Sequence, residues 1–215
     1  MTVPARRWLI RTPDPARVET LLAATPARAL SLSPLLACLL INRGLDTPEK
    51  AAAFLSPSLR EGLRSPLLFP DMSRATERLL HARAHGERVC VYGDYDVDGV
   101  TGSSQLLLFL RELGMQPDLY IPHRTREGYG LNSPAVKLIA ERGTKVMVTA
   151  DCGATAHTEI SLAQSLGIDV IVCDHHHVPE HRPPAYAVLN PMEKECAVMI
   201  TIGEVKSGQE QWLPS

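Results

Sequence analysis

The chain has 215 residues, with 22 Lys and Arg against 24 Asp and Glu, 45% apolar and 5% aromatic side chains. That length allows one large domain or two small ones with a real hydrophobic core, and the ordinary composition excludes disorder and collagen-like repeats. The net charge of −2 carries no whole-chain basic signal, yet residues 1–90 hold 13 basic and 8 acidic side chains while residues 91–191 hold 7 and 12. A basic front and an acidic middle fit a polyanion partner beside a carboxylate-rich centre that attracts metal cations.

Residues 1–70 are punctuated by prolines, with short helices between them: Pro34–Arg43, closed by Gly44, and Thr47–Leu55, where Thr47 caps and Pro48 takes the first helical position. This segment reads as a small helical lead-in. From Asp71 the pattern becomes regular. Asp71 is expected to cap a helix running to about Ala84, with Met72, Ala75, Leu79 and Ala82 on one face and Gly86 as its stop. Then follow a strand at Val89–Gly93, a helix at Thr101–Leu113, a strand at Asp118–Ile121 and a helix at Pro134–Arg142. A strand at Lys145–Ala150, a helix at His157–Leu166 and strands at Val170–Cys173 and Ala185–Leu189 complete the series. The strands are continuous apolar runs alternating with helices of about ten residues, which predicts an α/β fold with a mostly parallel sheet flanked by helices on both faces.

Ligands of such sheets collect beyond the carboxyl ends of the strands. Three strands end there in acidic or histidine clusters: Asp94-Tyr95-Asp96-Val97-Asp98-Gly99, Asp151-Cys152-Gly153, and Asp174-His175-His176-His177. Crowded carboxylates repel unless a cation neutralises them, and a mixed oxygen and imidazole set suits Mn²⁺ or Mg²⁺. Asp94–Gly99 also matches the opening of a calcium loop, but its twelfth position is Gln105 and its upstream flank is a strand. The run Gly99–Ser104 lacks the Gly-Lys-Ser/Thr of a P-loop, though as a helix start it offers backbone N–H groups to a phosphate. His123–Leu131 opens on the same edge, where Arg124 or Arg126 suits bidentate phosphate contact and Tyr129 suits stacking on a sugar or base.

The five cysteines, Cys38, Cys90, Cys152, Cys173 and Cys196, form no close pair, which is the usage of a reduced compartment. Cys90 and Cys173 read as buried strand residues, and Cys152 as a buried structural thiol. Met1–Arg17 has no apolar leader region, and Ala29–Ile41 is too short to span a bilayer. A cytoplasmic protein without a membrane partner is expected.

At these motifs the sequence resembles the DHH phosphoesterase superfamily and, within it, the RecJ-like single-strand-specific 5′→3′ exonucleases. The resemblance rests on Val91–Gly99, Val148–Gly153, Asp174–His176, Arg124 with Gly128–Leu131, and a lead-in containing Asn42–Gly44, Thr47-Pro48 and Phe54-Leu55. It implies that Asp96, Asp98, Asp151 and His175 are metal ligands for Mn²⁺ or Mg²⁺, two ions in a complete site. His176 would contact the scissile phosphate as an electrostatic or acid partner, Asp174 would orient the histidines and Asp94 would be a supporting carboxylate. Arg124 would meet the terminal phosphate, with Tyr129 a second substrate contact. The implied reaction releases 5′-mononucleotides from single-stranded DNA, with a repair helicase or single-strand-binding protein as protein partner.

The expected division is a lead-in over 1–70, a catalytic domain over 71–191 and an atypical tail over 192–215. The family supplies a further aspartate downstream of the third motif, whereas this chain has no aspartate after Asp174. A shortened product with a foreign, out-of-frame tail is therefore expected, with a genuine short variant as the alternative. An inactive fragment or scaffold, and a relative cleaving short oligonucleotides, cyclic dinucleotides or pyrophosphate, are the alternatives.

Overall fold

A computed structural model of the chain describes residues 10–24, 32–58, 60, 63–194 and 196. The chain divides into two compact units, with the boundary between Arg64 and Ser65. Most of the 192–215 tail lies outside the described residues. Among the described residues, no helix is long and apolar enough to cross a membrane.

In the first unit lie α1 (Pro15–Ala24), α2 (Pro34–Asn42) and α3 (Pro48–Leu55). Each begins with proline, whose fixed φ suits a first turn and whose missing N–H would be unpaired there anyway. Ser33 Oγ accepts from the Leu36 N–H and Thr47 Oγ1 from the Lys50 N–H, which closes the starts of α2 and α3. Helix α1 is an addition to the sequence reading, because Pro13, Pro15 and Pro26 look like punctuation where Pro15 instead starts a helix. Val18, Leu21, Ala37, Leu40, Ile41 and Ala51 are buried together as a small core.

The second unit contains α4 (Met72–His85), β1 (Arg88–Gly93), α5 (Val97–Glu112), β2 (Asp118–Tyr120), α6 (Ser133–Glu141), β3 (Thr144–Ala150), α7 (His157–Ser165), β4 (Asp169–Cys173) and β5 (Ala187–Leu189). All strand pairs are parallel and the sheet order is β2-β1-β3-β4-β5. Strand side chains alternate between two buried faces. Val89, Val91, Val146, Val148 and Ile171 pack with Ala75, Ala82 and Leu110 of α4 and α5. Cys90, Tyr92, Met147, Val170 and Val172 pack with Val136, Ile139 and Ile160 of α6 and α7. Burial on both faces is why the strands read as unbroken apolar runs.

The chain reverses its direction of travel across the sheet between β1 and β3, a topological switch point where open α/β sheets hold their ligands. Gly93 pairs with Ala150, and Ala150 with Cys173, so three strands end level. The ladder continues one residue further. Asp94 N–H donates to Ala150 O at 3.2 Å, Asp151 N–H to Cys173 O at 3.0 Å and Asp174 N–H to Leu189 O at 3.1 Å.

Three local expectations are corrected. Helix α5 starts at Val97, four residues before the expected Thr101, because Asp96 Oδ1 accepts from the N–H groups of Asp98 and Gly99, both at 3.1 Å. Gly99 therefore lies in the first turn with its N–H already given to Asp96, and the Val100 N–H bonds the Asp96 carbonyl, so Gly99–Ser104 is not a phosphate-cradling start. Thr101, Ser103 and Ser104 turn their hydroxyls back to the carbonyls of Val97, Gly99 and Val100. Asp71 makes no capping bond to α4; its carboxylate instead accepts from the Val188 N–H at 2.9 Å and from Arg182, tying α4 to the edge strand β5. Cys173 is only partly buried, whereas Cys90 and Cys152 are buried as expected.

Gly99 is required by close approach: a Cβ there would lie 2.4 Å from the Asp94 carbonyl oxygen. Substitution Gly99→Ala must push the first turn of α5 off β1. It is expected to cost about 1–3 kcal/mol, read as a lowered urea midpoint with unchanged slope.

Candidate metal centre

Asp94 follows β1 and is fully buried at 0% exposure, and neither of its carboxylate oxygens has a hydrogen-bond partner among the described residues. Oδ1 of Asp151, which follows β3, is likewise shielded from solvent; among the described residues it makes no well-aligned hydrogen bond and has only the rings of His175 and His176 near it, at 3.3 and 3.8 Å. Leaving such oxygens unpaired in a protein interior is costly, and a cation is the natural compensation. One oxygen each of Asp94, Asp96 and Asp151 lie within 4.8 Å of one another, and Asp151, His175 and His176 form a second group under the same limit. Asp151 belongs to both. It is also the one residue other than glycine, among those described, with positive φ, at 64°. That left-handed backbone is strained for an aspartate and marks the centre of the cluster.

The electrostatics match the crowding. Burial, and then the negative charge of Asp96, push the Asp151 carboxyl above the usual carboxylate range. Asp96 is held below it, chiefly by the Gly99 N–H and further by Asp151 and the Asp98 N–H. Burial pushes the Asp174 carboxyl up, but hydrogen bonds outweigh this and leave it low. Its oxygens accept four of them: from Ala154 N at 2.8 Å, His175 N at 2.7 Å, His176 N at 3.1 Å and His176 Nδ1 at 2.7 Å. The Asp174 contact in turn raises the imidazolium of His176 above the usual histidine range. Burial pushes the Cys173 thiol up to about 12 and the Cys152 thiol well above its ordinary value, so neither offers a thiolate. Oxygen and imidazole donors without thiolate fit Mn²⁺ or Mg²⁺.

His175 Nε2 lies 3.3 Å from Asp151 Oδ1. Asp98 stands apart from both groups. It lies in the first turn of α5 and lines, with Thr101, Gln105, Asp151, Asp174 and His175, an adjoining cavity of about 280 Å³. The cluster thus contains Asp94, its one buried residue, read from sequence as a supporting carboxylate, while Asp98, read as a ligand, lines the adjoining cavity. Tyr129, 57% exposed, places its hydroxyl 3.2 Å from Nε2 of His176. Arg124 lies with its guanidinium carbon 5.3 Å from the ring centroid of Tyr95. Tyr95 carries no signal in the sequence, where it is a spacer between two aspartates; only the return of the 121–130 loop places Arg124 over it.

The family model described as the DHH family, N-terminal domain, matches residues 88–210. The chain belongs to the DHH family. It is 39% identical over 190 residues to the single-stranded-DNA-specific exonuclease RecJ of Bacillus subtilis (strain 168), a match covering 88% of this chain and 23% of that protein. The crystal structure of an exonuclease RecJ bound to manganese is similar at 36% identity and TM-score 0.57, covering 61% of this chain and 34% of that one. RecJ from Thermus thermophilus, in complex with Mn²⁺, is similar at 30% identity and TM-score 0.56, covering 85% and 24%. The chain spans about a quarter of the length of the curated relatives it matches. The DHH motifs coincide with the three level strand ends that carry the cluster.

Removing the Asp174 carboxylate leaves the N–H groups of Ala154, His175 and His176 without their acceptor. Asp174→Ala is expected to cost about 3 kcal/mol at neutral pH in chelator. Because the folded carboxyl is held low, its contribution is complete above about pH 4, the ordinary aspartate value, and is lost as pH falls through the lower folded value. Urea unfolding of both proteins across that range should show the gap closing in acid; a gap independent of pH refutes the assignment.

Proposed function

We propose that this chain forms the metal-binding part of a phosphodiester hydrolase that acts on single-stranded DNA from its 5′ end and releases 5′-mononucleotides. The observation that carries the reading is the pair of buried Asp94 oxygens with no hydrogen-bond partner among the described residues, grouped with Asp96 and with Asp151, which also meets His175 and His176. The similarity to RecJ exonucleases, two of them solved with manganese, supports the substrate class and the metal.

In this reading Asp96, Asp98, Asp151 and His175 hold Mn²⁺ or Mg²⁺, with Asp94 as the buried supporting carboxylate. Ions held by these residues would supply Lewis-acid polarisation of a phosphoryl oxygen and activation of water as the nucleophile. Burial and the charge of Asp96 raise the Asp151 carboxyl, and a cation held beside it would favour its charged form. Asp174 holds Nδ1 of His176, which leaves Nε2 as the nitrogen available to a phosphate oxygen. The raised imidazolium of His176 suits it to stabilise charge on the phosphate or to protonate the leaving oxygen. Arg124 binds the terminal phosphate, and Tyr129 is a second substrate contact. A DNA substrate agrees with a cytoplasmic setting and with a repair helicase or single-strand-binding protein as partner.

Calorimetric titration of the purified chain with Mn²⁺ tests the site. Asp151→Ala should weaken binding by at least about 100-fold; equal binding by the two proteins refutes the ligand assignment. Incubation with 5′-labelled single-stranded DNA and Mn²⁺ tests the reaction. Mononucleotide release is expected from the unaltered chain and should be lost in Asp98→Ala. No Mn²⁺-dependent release by the unaltered chain overturns the exonuclease reading for this chain.

A further inference from the structure

Both ring nitrogens of His176 are engaged. Nδ1 lies 2.7 Å from Asp174 Oδ1, and Nε2 lies 3.2 Å from the Tyr129 hydroxyl. The His176 main chain is held too: its N–H donates to Asp174 Oδ1 at 3.1 Å, and its carbonyl accepts from Asn190 Nδ2 at 2.9 Å. An ionised carboxylate has no proton to give, so Nδ1 carries the hydrogen in the contact with Asp174. In the neutral ring Nε2 is then an acceptor, and the phenol donates to it.

The phenol is itself held in place. Gly128 and Gly130, both at positive φ, turn the chain on either side of Tyr129. Before it, Glu127 accepts from the Tyr120 hydroxyl at 2.5 Å and from the His123 N–H at 2.7 Å. After it, the Gly130 carbonyl accepts from the buried Tyr92 hydroxyl at 2.9 Å. The Tyr129 ring stands edge-on to Tyr95 at 6.3 Å and edge-on to His176 at 6.1 Å between centroids. Tyr129 thus reaches the metal cluster from a loop tied to β1 and β2, elements other than the one that carries the histidines.

We propose that Tyr129 is a positioning residue for His176: its hydroxyl, opposite Asp174, fixes the imidazole plane so that Nε2 already faces the substrate side before a phosphate oxygen takes the hydroxyl's place. Asp174 alone leaves the ring free to pivot about its Nδ1 contact, whereas anchors at both ends hold its orientation. This role belongs to the hydroxyl and differs from stacking on a base, which the aromatic ring alone supplies. The kinetic consequence rests on the phosphodiesterase reading; the hydrogen bond does not.

Long-range ¹H–¹⁵N spectra of the full chain in chelator, at a pH where His176 is neutral, read the bond directly, with His176→Gln used to identify the resonances. Tyr129→Phe removes only the hydroxyl. It should move the Nε2 resonance of His176 downfield while Nδ1 keeps its proton and the other histidines stay in place. An unchanged Nε2 resonance overturns the proposal. In Mn²⁺-dependent hydrolysis of single-stranded DNA, Tyr129→Phe should lower kcat roughly tenfold with KM nearly unchanged. A Phe variant with unaltered kcat, beside a Tyr129→Leu variant with raised KM, is the pattern of a stacking residue and also overturns it. If the unaltered chain hydrolyses nothing, the exonuclease reading fails by itself, and the spectra alone decide the positioning bond.

Discussion

Parallel pairing that brings Gly93, Ala150 and Cys173 level is the constraint on which the rest of the second unit depends. Each strand is followed by an aspartate whose N–H extends the ladder by one bond, so Asp94, Asp151 and Asp174 start from positions set by backbone hydrogen bonds. Side chains that repel one another are thereby held together by the sheet, and the energy of burying both of its faces opposes their repulsion. The opposition is visible in the raised carboxyl and left-handed backbone of Asp151 and in the unpartnered oxygens of Asp94. A cation bound among them would neutralise the first and give the last their missing partner.

The aspartates divide their work by hydrogen bonding. Asp174 is satisfied through four bonds and turned toward the histidines, so it organises the loop after β4. Asp96 gives one oxygen to the start of α5 and still reaches the cluster. Asp94 has no such duty inside the protein, which fits a carboxylate buried for a ligand. The two histidines diverge in the same way: His175 faces Asp151, while His176 is spanned by Asp174 and Tyr129.

Much of this is legible in the sequence because it depends on local chemistry. Strand runs such as Val146–Val148 and Val170–Val172 are apolar on both faces and preceded by Gly143 and Gly167, both at positive φ, so their place in a covered parallel sheet can be read directly. The acidic and histidine clusters at their carboxyl ends follow from the same boundaries. The start of α5 is harder to place because Asp96 and Asp98 read as loop ligands, while Asp96 also serves as a helix cap. Asp71 misleads for the opposite reason: its position suggests a cap, and the partners that claim its carboxylate lie more than a hundred residues away.

The sequence by itself determined the alternation of elements, the strand ends that bear chemistry and the family motifs, since burial periodicity and turn residues act over a few positions. Tertiary structure alone decided that Asp94 is buried without a hydrogen-bond partner among the described residues, that Asp98 shares a cavity with Asp151 and His175, and that Tyr95 and Tyr129 link Arg124 to His176. Those relations depend on strand order and register, which bring residues from 94 to 176 to one edge, and no local pattern encodes the distances between them.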